Sequence, residues 1–302
     1  MRFHHLMAVV AIADKGSFTS GARHLKISQS SFSHTIADLE RELGVSLFVR
    51  DRQGAHPTEI GHRILPLARQ ALATLDSIRT VAGETQGVLC GRVRIGSIPS
   101  TTVSFLPRVI AHFTRKYPKV EVVLLEEPSQ GMQQLADWLR GDAIDLAILE
   151  LPMNDLKVMP LMQDELCAIV AKNSAFARLK RVSVVDLAVA PFVKSRYCSE
   201  RLIQAAFGRH NVSPLVRFEV QDLGTLVSMV REGLGVSVVP RVAFSATPPG
   251  VVLVPLFPRI RRELGFALRS TGNSARAVSA FVLKLQELGR DKRLRSGTRK
   301  PT

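Results

Sequence analysis

No stretch of this sequence approaches the ~20 uninterrupted apolar residues that a membrane span needs. Cysteine is scarce: Cys90, Cys167 and Cys198 are odd in number, far apart and outside any C-x-x-C pair. That pattern argues against a disulfide framework and leaves a zinc site unsupported. Catalytic signatures are missing as well. Gly16 to Gly21 has P-loop spacing, but Ala22 and Arg23 follow where that loop needs Lys and Ser or Thr. Gly233 and Gly235 lack the third glycine of a dinucleotide fingerprint and precede a strand pattern rather than a helix. There is no G-x-S-x-G elbow, no H-E-x-x-H and no catalytic Cys/His context. The carboxylates Glu126 and Glu127 read as surface, and Asp142 and Asp145 as the start of a strand. Acid is also in deficit, with 26 Asp and Glu against 41 Lys and Arg, a net charge of +15. An excess of that sign favours a polyanionic partner through counterion release, although solubility alone can also produce it.

What is present is enough for two ordinary domains: 302 residues, of which 46% are apolar. The first residues have a short apolar run that resembles a signal peptide. Asp14 and Lys15 interrupt it and its spacing is helical, so it reads as mature sequence, and a cytoplasmic location is expected. Six of the eight histidines fall at positions 4, 5, 24, 34, 56 and 62. None has metal-ligand spacing, so they are expected at the surface or facing a groove. At the other end, residues 290–302 hold six basic residues and one acid and read as a disordered basic tail.

Leu6, Val9, Val10 and Ala13 recur at helical spacing and predict a helix over residues 3–15, ended by Gly16. Ser17 or Thr19 caps a second short helix carrying Ala22 and Leu25. A tight turn at Lys26-Ile27-Ser28 leads, with Ser28 as N-cap, to a third helix from Gln29 to about Leu43, whose buried face is Phe32, Ile36, Leu39 and Leu43. Gly44 stands where a helix C-terminus wants a left-handed residue. Two helices joined by so short a turn form a helix-turn-helix. Residues 45–50 then alternate as a strand, 51–57 form a turn, and Thr58 caps a new helix. The result is a wing bearing Arg50 and Arg52 toward phosphates or a minor groove. On the third helix Gln29 suits a bidentate contact to adenine, with Ser28, Ser30, Ser33 and His34 on the same early turns. Each is equally consistent, taken alone, with a solvated helix start.

In order, the chain carries G-S-F-T at 16–19, A-x-x-L at 22–25, S-Q-S at 28–30, L-E-x-x-L-G-V-x-L-F-x-R at 39–50 and T-E-x-G at 58–61. Across residues 3 to about 65 this resembles the winged helix-turn-helix of the LysR-type transcriptional regulators. Two positions depart from the family's habit: Ser30 stands where proline is common, and His34 where arginine is common. Imidazole is largely neutral at pH 7, so a contact from His34 is expected to be weaker or pH-dependent.

From Thr58 to about Gln86 the apolar positions Ile64, Ala68, Ala71, Leu75, Ile78 and Ala82 are spaced alternately by four and three, the rhythm of a coiled-coil seam. A helix of ~29 residues, or ~43 Å, outreaches a small winged domain, which favours dimerisation over packing on its own domain. Pro66 should bend it. Residues 83–91 contain three glycines and read as a hinge.

Beyond Gly91, strand and helix patterns alternate, implying a largely parallel sheet, two α/β lobes and a cleft at the strand C-termini. The runs R-V-R-I-G at 92–96, L-P-x-V-I-x-x-F-x-x-x-Y-P at 106–118, G-D-x-x-D-L-A-I at 141–148 and G-L-G-V-S-V-V-P at 233–240 extend the LysR-type resemblance to nearly the whole chain. The expected fold class is therefore α/β with an all-α winged helix-turn-helix head and a two-lobed effector domain like the periplasmic binding proteins, joined by a long linker helix. The expected divisions are a head at 1–57, the linker helix and hinge at 58–90, and the effector domain at 91–289. Within that domain the first lobe takes about 91–163 and 269–289, and the second about 164–268. Chemistry and family position together nominate Ser97, Ser100, Thr101, Thr102 and Ser129 in the first lobe, and Ser195, Arg196 and, more weakly, Gly224 and Thr225 in the second. Hydroxyls and free N–H groups at helix starts suit a carboxylate, though each is also a routine helix cap.

The resemblance implies a regulator of transcription rather than an enzyme. Its expected partners are double-stranded operator DNA with dyad symmetry, a second copy or more of itself, a small-molecule effector of unspecified identity and RNA polymerase, with no cofactor, metal or membrane. Two other classes fit parts of the pattern: a solute binder or small-molecule enzyme with a vestigial head, and an architectural protein that ignores sequence.

Overall fold

The computed structural model describes residues 1–51, 54–84, 89–126, 132–154, 156–195, 199–269 and 276–290. Arg52, Ser129, Arg196 and the basic tail from 291 lie outside the described residues.

The head is built from α1 (Phe3–Lys15), α2 (Phe18–His24), α3 (Gln29–Leu43) and a two-stranded antiparallel wing, β1 (Phe48–Asp51) and β2 (Gly54–Pro57). Gly16 ends α1 at φ 68° and Gly44 ends α3 at φ 71°, left-handed conformations that glycine takes without a Cβ clash. Ser17 Oγ accepts from Ser20 N–H, and Ser28 Oγ from Ser31 N–H, each at 3.1 Å, so both serines cap as expected. The turn expected over 51–57 instead contains β2. Ala55 N–H donates to Gly16 O at 2.8 Å, which ties that strand to the end of α1. Phe18, Phe32, Ile36, Leu39, Leu47 and Phe48 form the core with Ala8, Val9 and Ile12 of α1.

α4 (Glu59–Glu84) follows, with Pro66 inside it. Its first half belongs to the head, since Leu65 and Ala68 are buried in the head core. Ala68, expected on the dimer seam, is therefore covered by its own domain, and Ile64 packs beside it. Leu67, Leu75 and Ile78 stay exposed.

The C-terminal domain runs β3 (Gly91–Ser97), α5 (Pro99–Thr102), α6 (Phe105–Lys116), β4 (Val120–Glu126), α7 (Met132–Arg140), β5 (Leu146–Leu151) and β6 (Val158–Ala171). It continues through α8 (Val184–Ala188), β7 (Pro191–Ser195), α9 (Glu200–Gly208), β8 (Leu215–Val220) and α10 (Leu223–Arg231). β9 (Ser237–Pro240), β10 (Val251–Pro255), β11 (Arg261–Leu268) and α11 (Arg276–Arg290) complete it. A single helix is predicted over 102–117, but the chain breaks into α5 and α6 where the Ser104 hydroxyl bonds to the distant Val242 carbonyl.

The sheet order is β10-β6-β11-β5-β3-β4, with β9 also on β6. It is mixed rather than largely parallel: β3 pairs in parallel with β4 and β5, whereas β11 is antiparallel to β5 and β6, and β10 and β9 are antiparallel to β6. The physical cause is β6, 14 residues long, which carries the chain from one lobe into the other, and β11, which returns antiparallel to it. Residues 263–268, expected with the second lobe, pair with β5 and so lie in the sheet of the first, while Arg261 and Arg262 pair with β6 alone. One apolar core fills the first lobe around Ile95, Phe113, Phe266 and Phe281. The second lobe has two, one on each side of its sheet, around Phe192 and Phe207 and around Ile169 and Leu226.

Candidate nucleic-acid interface and inter-lobe cleft

The motif residues of the head prove to be the ones that hold α3 and the wing together. A Cβ on Gly21 would lie 2.7 Å from the buried Phe32 ring, so only glycine lets α2 approach α3 this closely. Glu40 Oε1 accepts from Leu47 N–H at 2.6 Å and Phe48 N–H at 3.2 Å, which satisfies the first amides of the wing. Thr58 Oγ1 donates to Ser46 O at 2.8 Å and accepts from Gly61 N–H at 3.0 Å, joining the wing to the start of α4. A Cβ on Gly61 would stand 2.1 Å from Leu47 O.

On α3, Gln29 and Ser30 are exposed and Ser33 is half-buried. The Ser30 hydroxyl lies 3.0 Å from that of Ser28, whereas the Gln29 side chain has no hydrogen bond among the described residues. A free amide on the first exposed turn can donate and accept at once, as adenine readout requires. His34 is exposed, its Nε2 3.2 Å from Asp38 Oδ2, and Asp38 also takes Arg41 Nη1 at 2.8 Å. Arg50 lies with its guanidinium 3.5 Å above the centroid of the Phe18 ring. Stacking of this kind fixes the plane of the group while leaving its edge N–H donors available. Phe18, the third residue of G-S-F-T, thus orients the wing arginine as well as filling the core, a role the sequence reading missed.

In the C-terminal domain Ser97, Ser100, Thr101 and Thr102 are all buried. Thr101 Oγ1 donates to Ile98 O at 2.9 Å and lies 2.5 Å from Ser97 Oγ, and Thr102 Oγ1 donates to Ile98 O at 3.1 Å. Three of the four hydroxyls expected to greet a carboxylate are therefore spent on the turn itself. Ser100 is different, because its Oγ accepts from Arg262 Nη2 at 2.8 Å. Arg262 is buried and also meets Asp164 Oδ2, Glu150 Oε2 and Ser199 Oγ at 2.8–2.9 Å. Sequence reasoning missed this cluster. The available signal was an arginine on the inward register of β11 with Leu264 and Phe266. Ser195 is buried at the end of β7, whereas Thr225 is exposed on α10 with its N–H taken by Asp222 Oδ1 at 2.7 Å. Hydrogen bonding from the Thr225 side chain, and then from its N–H, holds the Asp222 carboxyl below the usual carboxylate range.

Other residues of the C-terminal domain serve structure. Arg94 Nη2 and Nε meet Asp145 Oδ1 and Oδ2 at 2.6 and 3.1 Å, locking β3 to the start of β5. Burial pushes the Cys167 thiol up to about 12. A thiol that titrates near 9 when unfolded and near 12 when folded contributes stability in full below about pH 9, lost as pH rises beyond it. Alkylation of the native protein at pH 8 is expected to spare Cys167 and to label it only after denaturation, as peptide mass mapping would read; native labelling would mean that the site opens.

A winged helix-turn-helix, a long helix and a two-lobed α/β domain together define a one-chain DNA-binding sensor. The family comparisons say the same: residues 3–62 match the bacterial regulatory helix-turn-helix domain of the lysR family, and residues 86–290 the LysR substrate binding domain. The chain belongs to the LysR family of bacterial transcriptional regulators. Among its relatives are the probable regulator LrrA of Synechococcus elongatus, 32% identical over 95% of this chain and 97% of the relative, and the dual regulator GltC of Bacillus subtilis, 32% identical over 94% and 97%. Full-length OxyR from Pseudomonas aeruginosa shares the fold with a TM-score of 0.70 at 22% identity, covering 100% of this chain and 99% of that one. Full-length CbnR in complex with its target DNA aligns with a TM-score of 0.67 at 18% identity, over 95% and 100%. No helix among the described residues is long and apolar enough to cross a membrane.

Proposed function

We propose that this regulator reads operator DNA with the first turns of α3, grips phosphates with its wing, pairs through the exposed part of α4 and responds to a small molecule in the cleft between its lobes. The observation that carries the reading is Gln29, exposed at the start of a rigidly seated α3 with no competing partner among the described residues. Ser28, Ser30, Ser33 and His34 flank it. Arg50, and Arg52 beside it, would meet the backbone, and the solved complex of CbnR with its target DNA supports that use of the fold. Gln29→Ala is expected to lower affinity for the cognate site by about 1–3 kcal/mol while leaving scrambled DNA unaffected. Arg50→Ala is expected to weaken both alike and to flatten the salt slope by about one. Equal losses on the two DNAs for Gln29→Ala, measured by fluorescence anisotropy, would remove α3 from base readout.

The dimer seam we propose is Leu67, Ala71, Leu75 and Ile78, since Ala68 and Ile64 are engaged by the head. Leu67 and Ile78 are 63% and 59% exposed, an apolar stripe left uncovered by the described residues of one chain. Leu75→Glu with Ile78→Glu is expected to yield monomers and to cost most of the affinity for a two-half-site operator, since each head then binds alone. Dimers of unchanged mass in light scattering would place the interface elsewhere. The role is regulatory and cytoplasmic rather than catalytic, with RNA polymerase as a further partner, and Ser100, Ser195 and Arg196 are the effector contacts retained from the nominated set, Ser97, Thr101 and Thr102 being engaged by the turn.

A further inference from the structure

Beside Ser100 lies a buried charge cluster whose charged members, Arg262, Asp164 and Glu150, the effector reading does not use. The Arg262 side chain is 2% exposed, that of Asp164 5% and that of Glu150 13%. Arg262 makes five contacts at 2.8–2.9 Å: Nε and Nη2 to Asp164 Oδ2, Nη1 to Glu150 Oε2 and to Ser199 Oγ, and Nη2 to Ser100 Oγ. Four of the five N–H donors of the guanidinium are thus hydrogen-bonded within the protein, and its charge is matched by two carboxylates.

The partners come from different parts of the fold. Arg262 and Asp164 sit directly opposite each other on β11 and β6, the two strands that pass between the lobes. Ladder pairing and two contacts at 2.8 Å tie this pair together. Ser100 and Glu150 belong to the first lobe, at α5 and near the end of β5. Ser199 belongs to the second, immediately before α9. Its hydroxyl donates to Glu150 Oε2 at 2.6 Å, a bond that runs from one lobe to the other.

Ser199 also departs from ordinary helix-start chemistry. Its backbone is left-handed, φ 50°, where a non-glycine residue is strained, and its side chain makes no capping bond to α9. Ser17, Ser28 and Ser183, in contrast, each cap their helix from extended backbone. The hydroxyl that should cap α9 is directed across the cleft instead.

From these observations, and resting on the reading of the cleft as the effector site, we propose that Ser199, Glu150 and Arg262 form a latch that holds the two lobes together. Arg262 and Asp164 are its fixed pin, and the Ser199 hydroxyl is the bolt. Opening the cleft breaks the bolt's bonds to Glu150 and Arg262 and leaves the pin intact. An effector then changes the lobe angle by displacing Ser199 from Glu150 or by reinforcing that bond, which supplies the differential affinity that a ligand-driven shift requires.

The test is amide hydrogen exchange on the full-length protein, with no DNA and no added ligand, comparing wild type with Ser199→Ala, Ser199→Gly and Glu150→Ala. The latch predicts exchange about tenfold faster at 98–104 and 200–208, the edges of the two lobes, the size expected for a hydrogen bond to a charged group. Exchange in β3 and β4 is expected to be unchanged. Ser199→Gly is the discriminating variant, because glycine suits the left-handed backbone and relieves its strain. If Ser199 mattered only through its backbone, Ser199→Gly would slow exchange at 200–208. That result, or wild-type rates in Ser199→Ala and Glu150→Ala, would overturn the latch. Specific DNA binding is read separately on the same preparations. Its absence together with faster exchange would refute the regulator reading and keep the latch; its presence with unaltered exchange would do the reverse.

Discussion

Replacing Arg262 with Met is expected to lower the stability of the C-terminal domain by about 3–5 kcal/mol, the usual result of removing one partner from a buried ion cluster. The variant leaves Asp164 and Glu150, both largely buried, without the cation that compensates them. Asp164 would retain only Val242 N–H, at 2.9 Å, among the bonds it now accepts. The chain's single tryptophan, Trp138, packs against the first-lobe core and reports on it directly. Urea unfolding followed by its fluorescence should show a midpoint well below wild type for Arg262→Met and no shift for Arg261→Met, whose side chain is exposed on the same strand. Equal midpoints for the two variants would mean that the cluster contributes nothing to the fold.

Phe32→Ala is expected to have a comparable effect on the head, again about 3–5 kcal/mol, because it empties a fully enclosed aromatic site. The ring is 0% exposed, meets Phe18 edge-on at 6.0 Å and fits against the bare Cα of Gly21. Losing it separates α2 from α3, so hydrogen exchange over 3–43 should rise sharply and DNA binding should disappear. The Trp138 transition should be unmoved, since that side chain belongs to another core. A coincident loss at Trp138 would show that head and C-terminal domain unfold together.

Local chemistry was legible in the sequence wherever it acts over a few residues. Ser17 and Ser28 as caps and Gly16 and Gly44 as stops are where the reading placed them, because each depends on backbone two to four positions away. What depends on distant partners was not legible. β2 has four residues, two of them glycine and proline, and shows no alternation; its place comes from β1 and from Gly16 O. The first half of β6 contains Pro160 and lacks a strand's pattern, yet β11 pairs with it. For the candidate site the same division holds. Ser100 was nominated from its position after a strand. Arg262, Glu150, Asp164 and Ser199 were not, since they meet only when β5, β6, β11 and α9 converge. The coiled-coil spacing on α4 was correctly helical, but a one-dimensional pattern cannot say that Ala68 faces its own head while Leu67 and Ile78 do not.

The central claim, that the α3 face reads sequence, is tested most directly by selecting fragments of sheared genomic DNA with the purified full-length protein at ~150 mM salt, where non-specific binding is weak. The account predicts enrichment of a few intergenic fragments that share a motif of dyad symmetry, with that enrichment lost in Gln29→Ala. A flat profile, with all fragments retained or lost alike, would contradict it.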